Sequence, residues 1–373
     1  MLNTAERSRY SRHFNLPDFG FEHQEMLSKA SVLVVGAGGL GCPVLSYLGA
    51  AGIGTLGIVD DDRVELSNLQ RQVLYSTDDV GKMKVEVAAQ RLHQMNPYIQ
   101  IKTYPVRLSA ANAQSIVTSY DIVVDGTDNF PTRYLVNDAC CIMGKTNVYA
   151  SIYQYEGQVS VFNAPLPEGG RSSHYRDLYP VPPEVGLVPD CASGGVLGVL
   201  AGIIGNLQAL EVIKCVTGIG ETLVGRMLVY DALTSTYNTL RYPKYSSIQI
   251  KEFIDYEDFC GIQKNTTDTM NTITATELQA WRESNKDHQL IDVRETKEVN
   301  FASIGGDHIV LGDILNKSDQ ISKDKPVVVM CRSGRRSAAA INALKQHGFD
   351  NLYNLDGGIL AWSRDVDSSV PTY

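Results

Sequence analysis

An apolar run, SVLVV at 31–35, feeds directly into the glycine-rich turn GAGGLG, Gly36 to Gly41, and then into the helix-forming segment GLGCPVLSYLGAAG. A second apolar run, TLGIVD at 55–60, follows at once. Strand, tight glycine turn, helix and strand in about 30 residues make a βαβ unit, whose crossover sets its two strands side by side and parallel. A parallel sheet is stable only when both faces are covered, so the fold class expected is α/β, with helices on either side of a mostly parallel sheet. The glycine turn leaves backbone N–H groups unobstructed at a helix N-terminus, an arrangement suited to phosphate.

The alternation continues down the chain. Val85, Ala88, Ala89, Leu92 and Met95 share one helical face, and Asn96-Pro97 ends that helix. DIVVDGTDN returns as a strand, and TNVYAS and GQVSVFN supply more. Proline and glycine crowd Ala164 to Pro189, which predicts a mobile loop over the site. Residues 191–210, CASGGVLGVLAGIIGNLQAL, carry no charge over a length able to cross a bilayer. Asn206 and Gln208 interrupt that run, and Glu211 and Lys214 extend its helical pattern, so a buried helix and no membrane span is expected. The polar stretch from Tyr242 to Thr272 reads as a connection between folded units. The expected domains are 1–260, a linker at 261–271, and a smaller α/β domain at 272–373. In that smaller domain QLIDVR and KPVVVM are strands, and SAAAINALKQHG is a helix closed by glycine.

At 373 residues, 43% hydrophobic and 20% charged, the chain has material for two cores. A net charge of -9 speaks against a surface built for nucleic acid or anionic lipid. Seven cysteines without a disulfide-framework spacing favour a reducing, cytoplasmic setting. The opening MLNTAERSRYSRHF has charges where an export signal needs its apolar core.

Asp60 ends the second strand at the distance where a carboxylate can accept ribose hydroxyls, which suits NAD as well as ATP. Arg71, in DDDRVELSNLQRQ, and Lys84, in VGKMK, bring two cations to the same crevice, and two cations suit a triphosphate. Asp128, in DGTDN at the end of another strand, is a candidate ligand for Mg²⁺ held against phosphates. These groups point to attack on the α-phosphate of ATP. An NAD-dependent oxidoreductase would leave Arg71, Lys84, Asp128 and the second domain without a role.

In their order, RYSRH, GAGGLG, VDDDRVELSNLQRQ, the VGKMK lysine and DGTDN resemble the ThiF/MoeB branch of E1-like activating enzymes, over roughly the first two-thirds of the chain. The resemblance implies a Rossmann-like adenylation domain that uses ATP to adenylate the C-terminal glycine of a ubiquitin-like sulfur carrier ending in Gly-Gly. Some E1-like relatives take a small-molecule or tRNA-borne carboxylate instead. By motif, Gly36, Gly38, Gly39 and Gly41 would line the phosphates and Asp60 would bind ribose. Asn68, Arg71 and Lys84 would contact phosphate, and Asp128 would hold Mg²⁺ and orient the reacting groups. Arg12, within RYSRH, would reach the partner's site in a symmetric homodimer.

Many relatives also bind structural zinc through two CxxC pairs. This chain has SSHYRDLY and EDFCG where those pairs would stand, offering His174, Asp177, Glu257 and Cys260, so no structural zinc is expected and weak mixed-ligand binding is the alternative. Cys191, in DCASGG, is expected to join thioester or persulfide exchange with the activated carrier, as its counterpart does in related enzymes. Cys42, Cys140, Cys141 and Cys215 lie in helix-like segments and read as core.

Cys331 begins CRSGRRS directly after the strand KPVVVM and before a helix. Backbone N–H groups, a helix N-terminus, and Arg332, Arg335 and Arg336 all favour an anionic sulfur there. IDVRE, CRSGRRS and NLDGGILAW together resemble a single rhodanese domain. That resemblance implies a persulfide on Cys331, loaded from thiosulfate or a persulfide donor, with Asp292 and Arg294 fixing local structure.

Overall fold

The computed structural model describes residues 2–183, 195–243, 245–261 and 270–372. The described residues form two compact units that meet in sequence between Cys260 and Gly261.

The first unit is built on an eight-stranded sheet: β1 (Ser31–Val35), β2 (Thr55–Val59), β3 (Gln100–Tyr104), β4 (Ile122–Asp125), β5 (Thr146–Tyr153), β6 (Glu156–Phe162), β7 (Arg226–Asp231) and β8 (Thr236–Arg241). The strand order is β3-β2-β1-β4-β5-β6-β7-β8. The first five strands pair in parallel, and β5 to β8 continue as an antiparallel meander. The βαβ reading of the glycine segment holds: Ser31 to Val35 run in register with Thr55 to Val59.

Alternation across the sheet divides two cores. Val32 and Val34 of β1 pack on one face with Leu45, Leu48 and Leu92, while Leu33 and Val35 pack on the other with Val123 and Tyr134. Such a strand shows no polar alternation because both faces are covered by helices. Those helices are α1 (Phe21–Lys29), α2 (Gly41–Ala51), α3 (Lys84–Met95), α4 (Phe130–Ile142) and α5 (Gly198–Thr217). Asn96 ends α3 as the sequence implies, and its buried side chain donates to Gly49 O at 2.7 Å and Tyr10 Oη at 2.8 Å. Asn129 caps α4, accepting from Thr132 N at 3.0 Å.

Helix α5 is long and apolar enough to cross a membrane. It packs on the sheet, with Gly205 against Pro43 and Gln208 donating to the carbonyls of Asp125 and Val148 at 2.7 and 2.8 Å.

Two expectations for this unit need correction, the first only in part. Within the stretch predicted as a mobile loop, Ser172, Ser173, His174 and Tyr175 are buried, whereas Pro165 and residues 167–170 are exposed. Ser172 pairs with Tyr245 as an isolated bridge, and Tyr175 N donates to buried Asn137. The stretch from Tyr242 to Cys260 is part of the first unit rather than a connection. Its aromatic residues Tyr242, Phe253, Tyr256 and Phe259 reach back onto the Tyr134 core, contacts too distant in sequence to leave a local periodicity.

The second unit has five parallel strands, β9 (Asn271–Ile273), β10 (Gln289–Asp292), β11 (Asp307–His308), β12 (Val327–Met330) and β13 (Leu352–Leu355), in the order β11-β10-β12-β13-β9. Helices α6 (Ala275–Glu283), α7 (Arg335–Gln346) and α8 (Gly358–Asp365) cover it. Val327 and Val329 face Ile341 and Leu344, while Val328 and Met330 face Leu278 and Trp362. The chain is thus α/β throughout, with a larger mixed sheet followed by a smaller parallel one.

Candidate active sites

In the first unit the strand order reverses between β1 and β4, since β1 continues to β2 on one side while β4 lies on the other. Ligands of open α/β sheets bind outside the carboxyl ends of strands at such a switch point. The glycine loop fills this position. Gly36 has φ +94°, and a Cβ there would lie 2.8 Å from Gly126 O in the loop after β4. The two loops therefore close on each other only with glycine. At Gly38 a Cβ would meet nothing nearer than Gln72 Nε2 at 3.6 Å, and at Gly39 it would approach Ala201 Cβ at 3.3 Å and Arg71 Cγ at 3.4 Å.

Asp60 stands beside the loop. Its Oδ2 accepts from Ala37 N at 2.7 Å and its Oδ1 from Asp62 N at 2.8 Å. Burial raises its carboxyl above the ordinary aspartate value, against the pull of the Lys84 charge and those two N–H groups. Lys84 is itself buried, and its Nζ lies 2.8 Å from the exposed Asp62 carboxylate. Arg71 donates to Ser67 O at 3.2 Å, and buried Asn68 accepts from Glu65 N at 3.3 Å. Asp128 is exposed just beyond the end of β4. Gly36, Gly38, Gly39, Gly41, Asp60, Arg71 and Lys84 thus share one neighbourhood. Arg12 is exposed on the short helix Ser11–Phe14, next to the buried Tyr10.

Sequence reasoning missed four groups at this crevice. Gln72 is buried with its Oε1 unpartnered, and Tyr75 Oη donates to Ala37 O at 2.7 Å. Asp125, fully buried, accepts from Thr127 N and Oγ1 at 3.0 and 2.6 Å. Arg133, stacked between Phe130 and Tyr149, lies 3.9 Å from its other oxygen. The DGTDN motif announced a carboxylate but not that its first aspartate is structural and only its second is exposed.

Among the described residues, the one gathering of three metal-capable side chains is Asp60, Asp61 and Asp62, with ligand atoms within 4.8 Å. Lys84 and the loop N–H groups already occupy two of these carboxylates, and Asp128 is not part of the group. His174 Nδ1 and Asp177 Oδ2 lie 3.6 Å apart, but Glu257 and Cys260 do not join them in a group of three or more ligand atoms. His174 Nε2 lies 3.0 Å from Ile248 O, Asp177 accepts from Ser246 and Ser247, and Glu257 pairs with Arg107 at 3.1 Å. The segment is tied down by Arg176, which makes a two-pronged pair with buried Asp138 at 2.8 and 2.7 Å and lies 4.4 Å over the Phe259 ring. Tyr256 Oη joins the same carboxylate at 2.9 Å.

Of the cysteines in this unit, Cys191 lies outside the described residues. Cys42 and Cys140 are core, as expected, whereas Cys141 and Cys215 are only half-buried. Burial pushes Cys42 and Cys215 up to about 12, Cys260 up to about 11, and Cys140 and Cys141 upward as well, so none of these is poised as a nucleophile.

In the second unit Cys331 follows β12 directly and is buried. Its Sγ accepts from Gly334 N at 3.2 Å and from Ser337 Oγ at 3.4 Å. Gly334 has φ +93° and precedes α7, so a left-handed residue turns the chain back over the sulfur. The carbonyls of Cys331 and Arg332 accept from Ile359 N and Leu360 N at 3.0 and 3.2 Å, which ties the loop to the start of α8. Asp292 and Arg294 form the expected structural pair: Arg294 is fully buried, its Nε lies 2.9 Å from Asp292 Oδ1, and its Nη2 donates to Ala302 O at 2.8 Å.

Of the three arginines expected to favour an anionic sulfur, Arg336 has its charge matched by a carboxylate. Helix α7 begins at Arg335, earlier than the SAAAINALKQHG pattern implied, and Arg336 is turned to Glu298, which it grips at 2.6 and 2.7 Å. Ser337, in the first turn of α7, donates to the sulfur.

Residues 10–249 match the family model described as ThiF family, and residues 274–365 match that of the rhodanese-like domain. The chain is 45% identical to the probable adenylyltransferase/sulfurtransferase MoeZ of Mycobacterium tuberculosis, over 100% of this chain and 96% of that protein. It is 38% identical to the adenylyltransferase and sulfurtransferase MOCS3-1 of Zea mays, over 98% of this chain and 83% of that protein. A sulfur carrier protein adenylyltransferase of Thermus thermophilus is 50% identical over 69% of this chain and 98% of its own length. Among solved structures, E. coli MccB with ATP matches with a TM-score of 0.57 at 24% identity, over 67% of this chain and 75% of that one, a likeness of fold.

Proposed function

The chain belongs to the ThiF family and carries a rhodanese-like domain, and on that premise we propose that it adenylates the C-terminal glycine of a ubiquitin-like sulfur carrier ending in Gly-Gly and converts it to a thiocarboxylate. It is an adenylyltransferase and sulfurtransferase, as its full-length relatives are named. The observation that carries the finer reading is the union, in one chain, of a glycine-lined phosphate crevice at a sheet switch point and a buried cysteine whose sulfur accepts two hydrogen bonds.

In the first step a carrier carboxylate oxygen attacks the α-phosphorus of ATP and pyrophosphate leaves. Gly38 and Gly39 leave room for the phosphate chain, and Asp60, already fixed to Ala37 N, receives the ribose hydroxyls. Arg71 and Lys84 offset the charge growing on the phosphates. Asp128, an exposed oxygen donor at the crevice, would hold Mg²⁺, which when bound neutralises phosphate charge. Arg12 completes the site of a second copy in a homodimer.

In the second step the terminal sulfur of a Cys331 persulfide attacks the acyl carbon of the carrier adenylate and AMP leaves. A thiolate, which we assign to Cys191, then attacks the Cys331 sulfur and releases the carrier thiocarboxylate, leaving a protein disulfide for an external thiol to reduce. Such chemistry needs a reducing compartment such as the cytoplasm. Structural zinc has no part in this reading, since the Arg176–Asp138–Tyr256 cluster ties the segment that would bind it.

The test is exchange of labelled pyrophosphate into ATP, measured with and without carriers ending in Gly-Gly. Exchange is expected only with a carrier, and to persist in Cys331→Ala. Exchange independent of any carrier, or none with every carrier, contradicts the proposal.

A further inference from the structure

The Ser337 hydroxyl has a single proton and two acceptors within reach, Cys331 Sγ at 3.4 Å and Gly334 O at 3.1 Å. Which one it serves is decided by what else the carbonyl receives. Gly334 O also accepts from Ala338 N at 3.1 Å and from Asn354 Nδ2 at 3.2 Å. A carbonyl oxygen has two lone pairs, and these two donors fill them. The third donor is surplus at the carbonyl, and its other acceptor is the sulfur.

From this we infer that Ser337 is a catalytic residue of sulfur transfer, donating its proton to Cys331 Sγ whenever that atom carries charge, and that Asn354 is a positioning residue that keeps the proton there by occupying Gly334 O. Ser337 is fully buried and Asn354 nearly so, hence water does not compete for either group. The inference rests on Cys331 being the sulfur carrier of the reading above.

With thiosulfate and cyanide, the charge on Sγ appears at two points. In loading, the Cys331 thiolate attacks the outer sulfur of thiosulfate, an S–S bond forms, and sulfite leaves with the electron pair of the broken bond. In discharge, cyanide attacks the terminal persulfide sulfur, thiocyanate forms, and Sγ leaves with the electron pair as thiolate. Ser337 stabilises the leaving sulfur in discharge, where a hydrogen bond to developing charge counts fully. Gly334 N supplies the second hydrogen bond in both steps.

The experiment uses the full chain, with single-turnover discharge of preloaded persulfide to cyanide as the main readout and steady-state thiosulfate kinetics beside it. Ser337→Ala is expected to slow discharge roughly ten- to hundredfold, as loss of one hydrogen bond to a charged group does, with kcat/KM for thiosulfate, which reports loading alone, changed far less. Ser337→Thr restores the rate. Asn354→Ala slows discharge less than Ser337→Ala, and the double variant is no slower than Ser337→Ala alone, because Asn354 acts only through the hydroxyl. Additive losses, or parental discharge in a folded Ser337→Ala variant, overturn the inference. Should Ser337→Ala fail to fold, Asn354→Ala is compared in the parent and in the Ser337→Thr chain: equal slowing in both upholds the relay, and no slowing in either overturns it. Sulfur transfer surviving Cys331→Ala would instead defeat the underlying reading.

Discussion

Gly358→Ala isolates what the second unit's DGG turn contributes to the sulfur site. Gly358 has φ +58°, and a Cβ built there would lie 2.6 Å from Arg332 O and closer still to Cys331 O. The left-handed conformation costs an L residue about 1–2 kcal/mol. Relieving overlap with two backbone oxygens adds about 1–3 kcal/mol. If α8 moves away to do so, the bonds from Ile359 N and Leu360 N to those carbonyls, 3.0 and 3.2 Å long, are lost at about 1 kcal/mol each. The sum is roughly 4–7 kcal/mol, a large share of the 5–15 kcal/mol that typically holds a domain. Both tryptophans, Trp281 and Trp362, lie in the second unit, so their fluorescence in a urea titration reports that unit alone. The expected result is an earlier unfolding midpoint, a fall in thiosulfate sulfurtransferase activity of roughly a hundredfold, and retained pyrophosphate exchange. A variant with the parental midpoint and full sulfur transfer would refute the close-approach argument.

Arg176→Met leaves Asp138 buried without its cation and is expected to destabilise the first unit by about 3–5 kcal/mol, read in chemical denaturation, whereas exhaustive chelation leaves the parent's midpoint where it was. Lys84→Met should cost roughly 10²–10³ in pyrophosphate exchange; equal activity would remove Lys84 from the phosphate site. Burial raises Asp60, so ATP affinity should weaken with acid at a pH above the ordinary aspartate value of about 3.9. The sign for the apo fold is opposite: ionising Asp60 costs the folded state, and that cost appears as pH rises from the unfolded value through the folded one. Calorimetric ATP titration across pH, with Asp60→Glu for comparison, checks the first, and pH-dependent denaturation checks the second.

What the sequence made legible was local. The runs VLVV, IVV and VVVM are apolar without alternation because strands of a sheet covered on both faces must be, and Gly36 and Gly126, which follow the first two, mark turns that a Cβ would crowd. Cys331 stood out because its loop lies between one such strand and a helix. Contacts set by the fold were hidden. Arg336 pairs with Glu298, 38 residues upstream, so a count of nearby arginines overstated the charge at the sulfur. Tyr242 to Cys260 looked like a polar connection because the partners of Tyr256 and Phe259, Asp138 and Arg176, lie far back in the chain. The SAAAINALKQHG pattern starts its helix at Ser337, and the start of α7 at Arg335 puts that residue inside the first turn, beside Sγ. Gln208 carried a usable sign, a polar residue that interrupts an uncharged apolar run, and the fold uses it to hold the β4 and β5 backbones.

The central claim, that one chain both activates a carrier carboxyl and supplies its sulfur, is tested most directly by the intact mass of a Gly-Gly carrier after incubation with the protein, ATP and thiosulfate. The account predicts a carrier in which one terminal oxygen has been replaced by sulfur, formed only when ATP is present, and lost in Cys331→Ala while pyrophosphate exchange continues. A thiocarboxylate formed in undiminished yield by Cys331→Ala, or a carrier left unmodified by the parent under conditions that support exchange, would contradict it.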